Sequence, residues 1–324
     1  MIENLEAKYY ELNNFRFESG EILSSLRVEY CTLGTPIKDE EGHITNAIVY
    51  LHGWSGDYSS IKRLKDIIGP GKALDTNKYY LISPSALGSP KSAAPSNSSR
   101  GFEFPRYSVN DMVNFLYSFL KENFSIKHLK GVIGNSMGGF QALTWGVLYP
   151  DFMDFIIPLV SSYQSKGWNF AIFHYMNSLI EQDPDYNQGN YVKNPRITSA
   201  ASQFMYLFGL SRDYYESQVS NQDIINSMAE MGQEGLLSDA NDIYWRNKAA
   251  MAYNLKGELD KIKAKTMVIA INQDQYFPPE YDAIPLSREI KDSQLVIYDS
   301  PLGHVGSHEI VKIEKEIGDF LTQF

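Results

Sequence analysis

Gly134-Asn135-Ser136-Met137-Gly138-Gly139 is the stretch that decides how this chain folds. Residues 129–133 before it are mostly apolar, and residues 140–148 after it have the pattern of a helix. The segment predicts strand, tight turn and helix, with a serine at the apex, which is the context a G-x-S-x-G nucleophile elbow needs. A turn this sharp strains the serine backbone and leaves no room for a Cβ at the flanking glycines. The five-residue pattern alone is weak. The strand before it, the helix after it and the partners downstream give it specificity.

Working outward, strands and helices alternate. Residues 9–17 and 22–33, joined through Gly20, predict an antiparallel pair. Ala47-Ile48-Val49-Tyr50-Leu51 is a continuous apolar run, as expected of a strand buried on both faces. Residues 79–82, 155–160, 267–271 and 295–298 read as further strands. Met112, Val113, Leu116, Phe119 and Leu120 recur at helical spacing, and residues 310–324 predict a final amphipathic helix. This alternation implies an α/β fold with a mostly parallel central sheet and helices on both faces. Residues 164–245 break the rhythm: they are aromatic-rich and helical in pattern. They predict a helical cap inserted after the sixth sheet strand, with residues 1–163 and 246–324 forming the core. Residues 83–99, rich in Ser, Pro and Ala, read as a long loop leaving a strand end beside the site.

The 324 residues are 43% hydrophobic and 21% charged, enough for a large core. A net charge of -10 argues against non-specific binding to nucleic acid or an anionic membrane. The lone cysteine, Cys31, excludes an intramolecular disulfide and reads as a small buried apolar residue. No apolar run approaches the ~20 residues that span a bilayer. The first residues lack the basic and apolar regions of a signal peptide, so the expectation is a soluble cytoplasmic protein.

A serine hydroxyl needs a base within reach, and the base needs an orienting carboxylate. In an elbow-bearing sheet the chain order is serine, acid, histidine. His304, in Ser300-Pro301-Leu302-Gly303-His304, follows the last strand and is the preferred base, with His308 the alternative. Their i,i+4 spacing could suit a metal, but Gly306 and the lack of a following Glu argue against one. Asp274 ends the run that begins at Met267 and is the preferred acid over Asp292 and Asp299. The amides of Met137 and Trp54 are the expected oxyanion donors, and the Trp54 indole either walls the acyl pocket or packs structurally. His52 is expected to hydrogen-bond within its loop, and His43 and His128 to sit on surface loops. His174 is expected to pack within the cap. No cofactor and no metal are expected.

These residues resemble the homoserine O-acetyltransferase-like branch of the α/β-hydrolases. Besides the elbow, the resemblance covers Phe104-Pro105-Arg106-Tyr107 with Asp111-Met112-Val113, Gln141-Ala142-Leu143-Thr144-Trp145 and Tyr149-Pro150-Asp151. It continues through Asp183-Pro184-Asp185-Tyr186, Gly189-Asn190-Tyr191, residues 274–279 and Gly303-His304. It implies the α/β-hydrolase fold, a Ser136, Asp274 and His304 triad, and Trp54 and Met137 as the oxyanion hole. It also implies a homodimer formed through the cap.

The chain departs from the transferase pattern at three places. Asn177 stands where the transferases align an arginine that helps bind the amino-acid substrate. Their His-Ala-Leu-Thr-Gly loop is here His52-Gly53-Trp54-Ser55-Gly56, and their acid after the histidine is here Val305. Other segments look more like an esterase subgroup on the same scaffold. The first expectation is therefore hydrolysis of a small, short-acyl ester through an acyl-serine. The alternatives are acyl transfer from acetyl-CoA to homoserine or a similar alcohol, with Arg196 or Arg212 as a compensating cation, and a non-catalytic binding protein.

Overall fold

The computed structural model describes residues 2–324. One sheet of eight strands forms its centre: β1 (Lys8–Arg16), β2 (Ile22–Leu33), β3 (Ala47–Leu51), β4 (Tyr80–Pro84), β5 (Leu129–Asn135), β6 (Met153–Leu159), β7 (Lys265–Ile271) and β8 (Ser293–Tyr298). Their order is β1-β2-β4-β3-β5-β6-β7-β8. The β1–β2 and β2–β4 pairs are antiparallel and the rest are parallel. This is the α/β-hydrolase fold with its N-terminal antiparallel pair.

Alternation along each strand feeds both faces of the sheet. In β3, Val49 and Leu51 join one apolar cluster with Phe115, Leu116 and Phe140, while Ile48 and Tyr50 join the other with Ile61, Leu64 and Phe320. Burial on both sides is why the central strands read as unbroken apolar runs. Helix α1 (Val109–Phe124) starts at a capping box between Ser108 and Asp111. It packs on α2 (Met137–Leu148), whose Tyr149 end stacks on Tyr117 at 3.9 Å between ring centroids. Helix α2 is buried almost all round, which explains Trp145 at its centre.

After β6 the chain leaves the sheet for a helical excursion. It comprises α3 (Gly167–Gln182), α4 (Ile197–Gly209), α5 (Arg212–Ser217), α6 (Asn221–Gly235) and α7 (Ala240–Ala252). The neck is tied by the Gln164–Asn254 bridge and by the Ser165 and Leu255 amides, which donate to the Tyr253 and Tyr163 carbonyls. Helix α7 therefore crosses the boundary expected at residue 245 and returns the chain to the core below it.

Helix α8 (Ala283–Glu289) precedes β8. The helix expected over residues 310–324 is shorter, because tight helical turns occupy Gly303–Ile313 and α9 begins at Glu314 (Glu314–Leu321). The apolar spacing still holds across the break at Ile313, where the turns give way to α9: Ile310, Ile313, Ile317, Phe320 and Leu321 are all buried. Among the described residues, no helix is long and apolar enough to cross a membrane.

Candidate active site

The carboxyl ends of β3, β5 and β6 meet at the elbow, where Leu51 pairs with Gly134 and Asn135 with Leu159. Ser136 sits between β5 and α2 with φ 56° and ψ -118°, a region an L-residue occupies only under constraint. Its amide donates to the Leu159 carbonyl (2.9 Å), and its carbonyl accepts from Ser161 Oγ (2.9 Å) and the Gly139 amide (2.8 Å). The glycines have the steric reason the sequence suggested. A Cβ on Gly134 would run into the Gly138 carbonyl, and one on Gly138 into the Leu51 carbonyl.

His304 lies in the first helical turn after β8, and Asp274 lies in the loop after β7. The structure brings both to Ser136. Ser136 Oγ is 2.9 Å from His304 Nε2, and His304 Nδ1 is 2.7 Å from Asp274 Oδ2. The other carboxylate oxygen of Asp274 accepts from the amides of Tyr276 (2.8 Å) and Phe277 (3.1 Å). Three donors thus hold a carboxylate whose side chain has no exposed surface. With Nδ1–H donated to Asp274, Nε2 is left to accept the serine proton, the arrangement of a serine nucleophile with an oriented base. The Tyr276 ring meets the imidazole edge-on at 4.8 Å and fixes its plane.

The alternatives lie elsewhere. Asp299 accepts from Asn272 and Gln273 at the exposed strand end. His308 faces Arg63, so the two histidines at i,i+4 have separate partners. Tight helical turns run through Gly306 between them. Cys31 is buried, and burial pushes its thiol up to about 12, so it is inert as a nucleophile.

The loop after β3 lies against the serine: a Cβ on Gly53 would stand 3.3 Å from Ser136 Cβ. His52 sets its shape. Nδ1–H donates to the Gly53 carbonyl (2.7 Å) and Nε2 accepts from the Ala86 amide (2.9 Å). The Gly56 amide bonds the same carbonyl at 3.1 Å. Because the peptide is trans, the Trp54 N–H points away from that anchored carbonyl. The Met137 amide opens α2 and has no carbonyl a turn earlier in its own helix. These are the two amides expected as oxyanion donors.

Trp54 is held by residues that the sequence did not single out. Arg246 on α7 donates to the Trp54 carbonyl (2.5 Å) and the Gly88 carbonyl (3.3 Å), and its guanidinium lies 4.9 Å from the indole centroid. The Trp54 indole N–H donates to Asn247 Oδ1 (2.7 Å), and Asn247 Nδ2 donates to Asn177 Oδ1 (2.9 Å).

Asn177 therefore departs from its expected place. Its own Nδ2 donates to the Tyr244 carbonyl (3.2 Å), it is 2% exposed, and it does not line the cavity beside Ser136. It supports Trp54 through Asn247. Arg196 and Arg212 are exposed and do not line that cavity either.

That cavity has a volume of about 320 Å³. The elbow, the Trp54 loop, His304 and Val305 form its floor. Met205 and Tyr206 of α4 and Met231 and Glu234 of α6 form its roof.

Burial drives His52 from its ordinary 6.5 down to about 4, against the Gly53 hydrogen bond, which favours the cation. Protonated Nε2 would also confront the Ala86 N–H. A folded-state value below the unfolded one gives stability that is fully present above about pH 6.5 and lost as pH falls through about 4, of order 3 kcal/mol. Asp242 and Asp282, raised to about 6 by burial, act in the opposite sense: their stability is present below 3.8 and lost as pH rises through about 6. A paired measurement isolates His52. Between pH 7 and 4.5, the Tm of the wild type should fall more steeply than that of His52→Gln, which keeps one donor and one acceptor. Parallel curves would remove His52 as the acid-sensitive support of this loop.

Comparison with known proteins agrees with this fold. The profile of the alpha/beta hydrolase fold family matches residues 46–309. The chain belongs to the α/β-hydrolase family. It is 49% identical over 321 residues to a "probable acyltransferase" of Methanothermobacter thermautotrophicus, covering 99% of each chain. It is 31% identical to a homoserine O-acetyltransferase of Methanohalobium evestigatum, over 86% of this chain and 64% of that protein's length. The solved structure of esterase E22 superposes with a TM-score of 0.87 at 25% identity, covering 98% of this chain and 100% of that one. This α/β-hydrolase is thus similar to homoserine O-acetyltransferases and stands close to esterases, as its motifs implied.

Proposed function

We propose that this α/β-hydrolase cleaves small carboxylic esters through an acyl-Ser136 intermediate, with His304 as base, Asp274 as its orienting acid and water as the acyl acceptor. The observation that carries the reading is the hydrogen-bonded run Ser136–His304–Asp274, at 2.9 and 2.7 Å, opening onto the cavity. Ser136 Oγ attacks the ester carbonyl carbon while its proton passes to His304 Nε2. The carbonyl oxygen becomes an oxyanion, stabilised by the Trp54 and Met137 amides. Collapse of the tetrahedral adduct breaks the ester C–O bond, and His304 returns the proton to the departing alcohol. Water then repeats the sequence on the acyl-serine, releasing the carboxylic acid and restoring Ser136.

Two features favour water over an amino-acid hydroxyl. Val305 lines the cavity where the transferase-like pattern has an acid, so that position offers an acceptor's ammonium no carboxylate. Asn177 is committed to Asn247 and Tyr244, so no cation enters from that position. The second reading, acyl transfer to an alcohol, is supported by the full-length relative named a probable acyltransferase.

The test is a product assay with one short acyl donor, either an aryl ester or acetyl-CoA, with homoserine varied to millimolar levels. Free carboxylic acid as the main product at every homoserine concentration is the expected outcome. Efficient formation of O-acylhomoserine would replace hydrolysis with transfer.

A further inference from the structure

The cavity beside Ser136 holds a cation that the acyl-serine chemistry does not use. Arg63, on the helical turns Tyr58–Ile67, is half-buried and lines the cavity from the core side with Ser60 and Ser307. Its recorded bonds both run from Nη1, to His308 Nε2 and, at 3.5 Å, to Ser307 Oγ. Burial holds His308 down at about 4, with the positive charges of Arg63 and Lys65 adding to the effect, so both acceptors are neutral. Among the described residues, the arginines in ion pairs are Arg100 and Arg212, and Arg63 meets no carboxylate. Its Nε and Nη2 donors likewise have no protein acceptor among the described residues. Acidic partners are not scarce in a chain with 39 Asp and Glu against 29 Lys and Arg.

A guanidinium presents a planar fork of five donors that matches a carboxylate in two parallel hydrogen bonds. Here part of that fork is free, within a cavity sized for a small ester. We propose that Arg63 is a carboxylate subsite of this cavity, selecting a substrate that carries one negative charge on its acyl or alcohol part. As a statement about substrate, this rests on the acyl-Ser136 reading. As a statement about binding, it does not.

The limit to one charge comes from the roof. Tyr206 lies near both charged groups: its hydroxyl is pushed up by burial and by Glu234 and drawn down by Arg63. Glu234 is exposed to water, which screens it, but it still disfavours a second anionic group on the ligand.

The experiment separates binding from turnover. Ser136→Ala protein is titrated with monomethyl glutarate and with neutral dimethyl glutarate, followed by ligand-observed NMR. The monoanion should bind about 10- to 100-fold more tightly. In the same background, Arg63→Gln should erase that preference and Arg63→Lys should retain part of it. Equal affinities, or a preference that survives Arg63→Gln, would overturn the proposal. If Arg63→Gln does not fold, raised salt gives the same readout on the parent protein. It should weaken the monoanion and leave the diester's affinity in place, and equal responses would again overturn the proposal. Turnover by the wild type is read in parallel. If the monoanion preference holds while neither ester is cleaved faster than by Ser136→Ala, the subsite stands and the acyl-serine reading fails.

Discussion

Ser136→Ala should fold like the wild type and lose ester cleavage by ~10⁴-fold or more. The size follows from what one oxygen does. Ser136 Oγ is the only hydroxyl held 2.9 Å from His304 Nε2 among the described residues, and its loss leaves the base with nothing to deprotonate. The residual rate is what the oxyanion amides and the cavity supply to water alone. The fold should survive because the constraint on residue 136 is in its backbone. The bonds that hold it run from its amide and carbonyl to Leu159, Ser161 and Gly139, and none uses Oγ. Circular dichroism and a thermal melt check the fold, and an aryl-ester assay checks the rate. Near-normal turnover in a folded variant would remove Ser136 as nucleophile.

His304→Ala should be nearly as damaging, again ~10⁴-fold, because nucleophile and base act as one unit. Removing His304 also leaves Asp274 without its third donor, so Asp274→Ala added to it should cost far less than the product of the two single losses. His308→Ala is the control. That imidazole accepts from Arg63 and lies outside the Ser136–His304–Asp274 run, so its removal should have a much smaller effect on cleavage of a neutral ester. Steady-state kinetics on the four variants check this. Silencing by His308→Ala alone would exchange the roles of the two histidines.

The elbow was legible in the sequence because everything that makes it lies within about twenty residues: an apolar strand, two glycines with no room for a Cβ, and an apolar helix. Asp274 and His304 were legible for a different reason. In an open parallel sheet, the carboxyl ends of strands converge, so chain order and strand ends predict neighbours that are far apart in sequence. The antiparallel start, the parallel core and the excursion after β6 followed from the same periodicities.

What was not legible depends on side chains meeting across the fold. Asn177 aligned with a substrate-binding position, yet Tyr244 and Asn247 of α7 capture its amide. Arg246 and Asn247 carry no local mark of their hold on Trp54, since the partner lies about 190 residues earlier. Arg63 sits in a surface-like run, Lys62-Arg63-Leu64-Lys65, and reaches the cavity only because the turns at Tyr58–Ile67 pack against those at Gly303–Ile313. The end of the excursion was placed early for a related reason. Helix α7 buries the polar residues Asn241, Asp242, Arg246 and Asn247 and is drawn into the core by Trp54 and the Gly88 loop.

The central claim is that Ser136 is an activated nucleophile. Peptide mapping by mass spectrometry, after reaction of the native protein with a fluorophosphonate, tests it most directly. The expected result is a single adduct on the peptide carrying Ser136, formed in the wild type and lost in His304→Ala. An adduct on another residue, or no adduct under conditions where the wild type cleaves ester, would contradict it.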